Sequence, residues 1–370
     1  MQIGIFTIYV LARLFLFLTL IIGGWCIAKK KYANHACITI AIVYSLIEGL
    51  RWKRGVDYMH YYYDIVTALD SSFYFVTKNP EPLYWLFIKL VNLLGIPYWM
   101  VFVTYSALLI TPVLLICKKI PSMAIVILGL FYAFTVSQSE NLIRQYLAAS
   151  FVLFAFNYYL EGKKNYMIAF LIIAPLFHYS ELLVVVPFYI LTKYHIKMSQ
   201  IILVVIYMLS FLFWDNQYFQ LIANVIERFF GSSVDNGYIN NADVWFSDAN
   251  TFDIEKTIYN LAYRLFFFSA IIIFGYSVQK RYFKLQACYY FSYFALLFQT
   301  IGGNVEIYNR FFNLYVIFIP FLIGYTLMNF KNKSWKYWSL YSLSLVYILY
   351  GALYREIKPD MLSYAFIWDR

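Results

Sequence analysis

The chain has 370 residues, of which 63% are hydrophobic and 13% charged. Soluble domains carry about 25% charged residues, so a soluble enzyme and a nucleic-acid binder are excluded, despite a formal net charge of +10. Long apolar runs recur from end to end and predict an all-α, polytopic membrane bundle forming one transmembrane domain over 1–370; a β-barrel would need short alternating strands.

The first apolar run, 3–28, is too long for a signal-peptide core. No basic segment precedes it and no small-residue cleavage site follows, so it reads as a retained span. Six short connections further along are basic: 29–32, 118–120, 162–165, 192–197, 279–284 and 331–336. They hold 15 of the 29 Lys and Arg beside one acid, Glu161. Short cationic loops stay cytoplasmic, so these mark the inner face. Residues 3–28 then cross inward and 33–50 outward. The stretch 51–81 is an external loop, 82–95 lies at the interface, and 97–117 returns. Further spans are expected at 121–137, 141–160, 199–214, 257–279, 285–301, 309–328 and 335–352, with the tail 353–370 outside. Residues 166–192 must leave and re-enter, although one crossing alone needs about 20 residues. Pro175 and Pro187 interrupt them, giving two short, broken helices that meet near His178. The total is about 11–12 membrane segments. Cys26, Cys37, Cys117 and Cys288 lie in or beside apolar runs without CxxC spacing and read as free thiols.

This topology carries 51–64, 137–145, 177–181, 215–256, 302–310 and 354–360 to one external face. Asn141, Arg144, Gln145 and Ala148 fall at i, i+3, i+4 and i+7, on one face of a helix beginning near Glu140 whose N-terminal dipole favours an anion. A lone arginine at a helix end can simply snorkel. Three polar neighbours point instead to a lined cavity, because intramembrane ionisable groups cost on the order of 3 kcal/mol and mark function. Arg310 repeats the pattern, with Glu306 at i−4 and Asn309 and Asn313 also four apart. This is a helix-surface ion pair or a second phosphate grip, and two guanidinium forks suit a diphosphate. His178, three residues before Glu181, is either a packed residue or a neutral imidazole able to take a hydroxyl proton.

RWKRGVDYMHYYYD (51–64) offers Arg51, the rival base Asp57, and Tyr58 among further tyrosines; Gly55 permits a tight turn before Asp57. The block reads as an interfacial loop or as a sugar platform. Within the external loop 215–256, QYFQLIANVIERFF is an amphipathic, interfacial helix. No P-loop, GxGxxG, HExxH or DxD pair occurs, so nucleotide-driven transport and metal hydrolysis have no support. A donor used outside the cell must then be lipid-linked.

In order, LRWKRGVDYMHYY, SENLIRQYLAASF, FHYSELLVVVPFY and NRFFNLYVIFIP resemble the blocks of the EpsG/Wzy-type polysaccharide polymerases, over roughly residues 45–325, and the ending SYAFIW is similar too. The chain departs at Val56, where Thr is frequent, and at Glu181, where a small residue is usual. The resemblance implies a fold like that of the C-type lipid-linked glycosyltransferases (GT-C) and no metal or nucleotide cofactor. It implies activity at the external face of the bacterial inner membrane, moving a growing glycan from undecaprenyl diphosphate onto a lipid-linked repeat unit. Partners would be those two lipid-linked oligosaccharides and the bilayer, with a chain-length regulator as an optional third and no nucleic acid. Arg144, Arg310 and Arg51 would hold the diphosphate. His178 or Asp57 would deprotonate the acceptor, and Tyr58, Asn141, Gln145, Glu181 and Glu306 would meet the sugars. A lipid-linked glycan flippase or exporter, an O-antigen ligase and a membrane acyltransferase are the other readings.

Overall fold

The computed structural model describes residues 2–55, 57–68, 81–211, 261–302, 306–330, 334–355 and 365–366. The expected amphipathic helix of 215–256 lies outside them. The first part of the chain forms α1 (Gln2–Ala28), α2 (Ala33–Gly49), β1 (Arg51–Trp52), α3 (Tyr58–Val66), α4 (Pro82–Leu93) and α5 (Tyr98–Lys119). Then follow α6 (Ala124–Phe131), α7 (Ser137–Asn141), α8 (Ile143–Leu160), α9 (Lys164–Phe177) and α10 (Leu182–Lys193). The remainder gives α11 (Gln200–Ser210), α12 (Ser269–Arg281), α13 (Gln286–Gly302), α14 (Glu306–Tyr315), α15 (Ile319–Asn329), α16 (Trp335–Tyr350) and β2 (Ala365–Phe366). Among the described residues, five helical stretches are long and apolar enough to cross a membrane: Ile8–Ala28, Tyr98–Lys119, Pro121–Asn141, Leu261–Arg281 and Tyr308–Asn329. The chain is a polytopic helical membrane bundle, as its composition predicts.

Two compact units divide it, 1–194 with 320–370, and 195–319. In the first, α8 is buried on nearly every side, the mark of a central helix. It forms a hairpin with α9, closed by Gly162 at φ +77°. Rings stack down the seam, Phe151 on Phe177 at 5.0 Å and Phe154 on Phe170 at 5.1 Å. Packing of this kind holds helices together in lipid, where no hydrophobic effect acts between them. Small residues permit the closest approach: α2 meets α5 at Gly49, where an added Cβ would lie 2.5 Å from Val103 Cα. Gly49→Ala is therefore expected to destabilise the protein by about 1–3 kcal/mol, read as a lower unfolding midpoint in detergent.

Three of the six basic connections meet at one end of this unit. Lys118 donates to Asn34 at 2.8 Å, and Glu161 accepts from Lys119 at 2.7 Å and pairs with Lys163 at 2.8 Å. These two lysines hold the Glu161 carboxyl down at about 2. Helix α8 runs Ile143–Leu160, so Arg144 stands about 24 Å along its axis from that end.

The sequence misplaced two boundaries. The span expected at 121–137 runs on to Asn141, through a π-helical stretch at Tyr132–Val136. Leu142 (φ −93°, ψ 53°) then breaks the chain, and α8 begins at Ile143 rather than near Glu140. Asn141 and Arg144 thus belong to different helices. Pro175 and Pro187 sit inside α9 and α10; the break between those helices is at His178 (φ −153°, ψ 112°), as expected.

In the second unit, tyrosine hydroxyls satisfy backbone carbonyls that lipid would leave bare. Tyr207 donates to the Arg264 carbonyl in the π-helical stretch Arg264–Phe268 at 2.9 Å, Tyr276 to Met198 at 2.8 Å and Tyr293 to Leu203 at 3.0 Å. Part of the tyrosine abundance thus has a structural use.

Candidate functional site

Glu81 stands at the N-cap of α4, just before Pro82. Proline suits the first helical position, since the N–H it lacks would be unpaired there. The carboxylate faces away from its own helix. Its Oε2 pairs with Arg144 Nη1 at 2.8 Å, and its Oε1 lies 2.6 Å from His178 Nδ1 and accepts from the Tyr179 N–H at 3.3 Å. Burial alone would raise this carboxyl. The His178 hydrogen bond and the Arg144 charge outweigh that and hold it below the usual carboxylate range. Its contribution to stability is therefore complete above the ordinary glutamate value and is lost as pH falls through the depressed one.

The geometry fixes the imidazole. An ionised carboxylate only accepts, so Nδ1 carries the hydrogen, and in the neutral ring Nε2 is the atom that bears the lone pair. Arg144 is positioned from other sides by Tyr84 and Tyr61, whose ring centroids lie 5.1 and 5.5 Å from its guanidinium carbon. Its Nη1 is committed to Glu81, and its buried Nε has no hydrogen-bond partner among the described residues. Arg144 lies in the first turn of α8, beside unpaired backbone N–H groups. The Arg144 side chain is 23% exposed, and its charge together with the positive end of the helix favours an anion there.

Next to this centre is a second, fully buried cluster. Arg13 pairs with Glu48 at 2.6 Å and with Glu140. Arg54 Nε donates to both Glu140 oxygens, at 2.7 and 2.6 Å, and its Nη2 donates to the Tyr9 hydroxyl at 2.6 Å. Arg51 donates to the Glu48 carbonyl and, at 3.2 Å, to the Glu140 carbonyl. The Asp57 N–H donates to Asn141 Oδ1 at 3.1 Å. Gly55, at φ +95°, lies so close that a Cβ would come 2.7 Å from the Glu140 carbonyl oxygen. The loop is thereby clamped onto the α7–α8 break, and β1 pairs with β2, Arg51 opposite Phe366.

Arg144 and His178 thus meet on a common partner. Asn141 and Asp57 meet each other at the loop contact, both half-buried. Gln145 is 5% exposed and Tyr58 fully buried, its ring stacked 4.9 Å from Phe102. Arg51 belongs to the buried cluster. Glu181 is fully buried in the turn Tyr179–Glu181, and neither carboxylate oxygen has a hydrogen-bond partner among the described residues. Arg310 lies half-buried on α14 of the second unit. Glu306 begins that helix. Among the described residues, no group of three His, Cys, Asp or Glu could hold a metal ion.

Sequence reasoning missed Glu81, Arg13, Glu48 and Glu140. Arg13 carried a readable signal, because a guanidinium inside an apolar span needs an acid from elsewhere. Glu81 had a weaker one, an acid directly before a helix-starting proline.

Helical bundle and polar centre together define a multi-pass membrane protein whose Arg144, Glu81 and His178 meet in one polar cluster. Its family is the EpsG family, whose sequence model matches residues 34–366, so the chain belongs to it. No curated protein and no solved structure matches the chain significantly.

Proposed function

We propose that this protein is a polysaccharide polymerase acting on glycans linked to undecaprenyl diphosphate, at the external face of the bacterial inner membrane. The observation that carries this reading is the Arg144–Glu81–His178 constellation, one cation and one oriented imidazole joined by a single carboxylate. Membership of the EpsG family supports it. Its orientation rests on the lysine-rich end of the first unit, which short cationic loops keep in the cytoplasm, and the site lies at the other end of α8.

In the proposed step, an acceptor hydroxyl oxygen attacks the anomeric carbon of the donor glycan. The bond from that carbon to the diphosphate oxygen breaks, and the lipid diphosphate departs with the electron pair. The hydroxyl proton passes to His178 Nε2. Glu81 keeps the imidazole in the right tautomer and stabilises the imidazolium that forms, as the aspartate does in Ser-His-Asp triads. Arg144 stabilises the charge growing on the leaving diphosphate. Arg310 is proposed as the second grip and Asp57 as the alternative base. Asn141, Gln145, Glu181 and Glu306 remain proposed sugar contacts, while Arg51 and Tyr58 would act by shaping the loop beside them.

Neutralising Arg144 or Arg310 is expected to abolish chain extension while leaving protein levels and single-repeat glycans intact. Full-length chains from the Arg144→Ala, Arg310→Ala double variant would overturn the proposal. Repeat units accumulating inside the membrane, rather than unjoined outside, would indicate a flippase instead.

A further inference from the structure

Beside the buried charge cluster is a cavity of about 20 Å³, with Glu48 of α2, Tyr105 and Ser106 of α5, Ser139 of α7 and Tyr146 of α8 among its walls. Glu48 is 2% exposed and Tyr105 5%. One Glu48 oxygen takes Arg13 at 2.6 Å. The other, Oε2, and the Tyr105 hydroxyl have no protein hydrogen-bond partner among the described residues. Buried oxygens left this way are costly and rare, and both belong to residues facing the same space. A single water needs about 10–15 Å³ of such volume and two to four polar partners.

We infer that one ordered water occupies this cavity and ties Glu48 to Tyr105. It donates one hydrogen to Glu48 Oε2 and accepts from the Tyr105 hydroxyl. Its second hydrogen has acceptors in the Ser106 and Ser139 hydroxyls, which themselves donate to the Phe102 carbonyl at 2.9 Å and the Val136 carbonyl at 2.7 Å. The guanidinium of Arg51 shares the cavity wall, and its charge disfavours a metal cation there. Ile143 and Leu147 of α8 form an apolar wall of the same cavity. Ligand and site are distinct from those of the proposed polymerase reaction.

Tyr105→Phe removes one hydroxyl and leaves the ring in place. The full chain is unfolded reversibly in mixed micelles of SDS and mild detergent, once in sodium chloride and once in choline chloride. With the water present, the variant shifts the equilibrium about tenfold toward the unfolded form, the effect of one lost hydrogen bond, equally in both salts. Ser106→Ala shifts it in the same direction. A Tyr105→Phe protein as stable as the parent, or more so, means an orphan hydroxyl in a dry cavity and overturns the inference. A loss that appears only in sodium overturns it in favour of a bound cation. High-resolution density for the parent chain is the independent check: a single peak within hydrogen-bonding reach of both oxygens is expected, and an empty cavity refutes the water.

Discussion

Glu81→Gln is expected to lower the polymerisation rate by about a hundredfold or more, the usual scale for disabling a general base. Glutamine preserves shape and one accepting oxygen, so Arg144 keeps a partner. It also presents an amide that can donate to His178, which favours the wrong tautomer and withdraws the charge that stabilises an imidazolium. The loss should fall on kcat with KM for the acceptor little changed, because the interaction matters only as the proton moves. In the parent, low pH should reproduce part of the defect, since protonating Glu81 dissolves its pairs with Arg144 and His178. Its depressed carboxyl value confines that loss to the acid side of the ordinary glutamate range. The measurement is chain extension from purified lipid-linked repeat units across a pH series. A Gln variant with parental kcat would remove Glu81 from the mechanism.

The second large effect concerns stability. Glu140→Ala takes the carboxylate from Arg54 and one of the two acids from Arg13, all three residues being at most 3% exposed. Removing one partner of a buried ion pair costs about 3–5 kcal/mol, because the remaining charge is left uncompensated. The contrast is Glu161→Gln at the lysine-rich end: Glu161 holds two lysines as well, but its side chain is 28% exposed. An exposed pair of this kind is worth about 0.2–1 kcal/mol. Folded fraction measured in mixed micelles should separate the two variants clearly. Equal effects would mean that the Arg13–Glu140–Arg54 cluster is not a buried keystone.

The helices were legible because the lipid imposes a long apolar pattern on each, and the loop charges gave their ends. The break at His178 was legible from the shortness of 166–192. The break at Leu142 was not. Helical spacing ran smoothly through Asn141 and Arg144, whereas the chain there is governed by what Glu140 and Asn141 bind in a loop about 85 residues earlier. The site was half legible for the same reason. Arg144 and His178 announce themselves as polar residues in apolar surroundings. Their shared partner, Glu81, stands in a polar stretch where an acid attracts no notice, and only the folded chain brings it to them.

The strand pair joining Arg51–Trp52 to Ala365–Phe366 has a consequence for biosynthesis. Chains emerge from the ribosome N-terminus first, so the edge at Arg51–Trp52 is made long before the strand Ala365–Phe366 that pairs with it. A chain cut short before Ala365 therefore lacks the strand that holds the 51–52 loop in register.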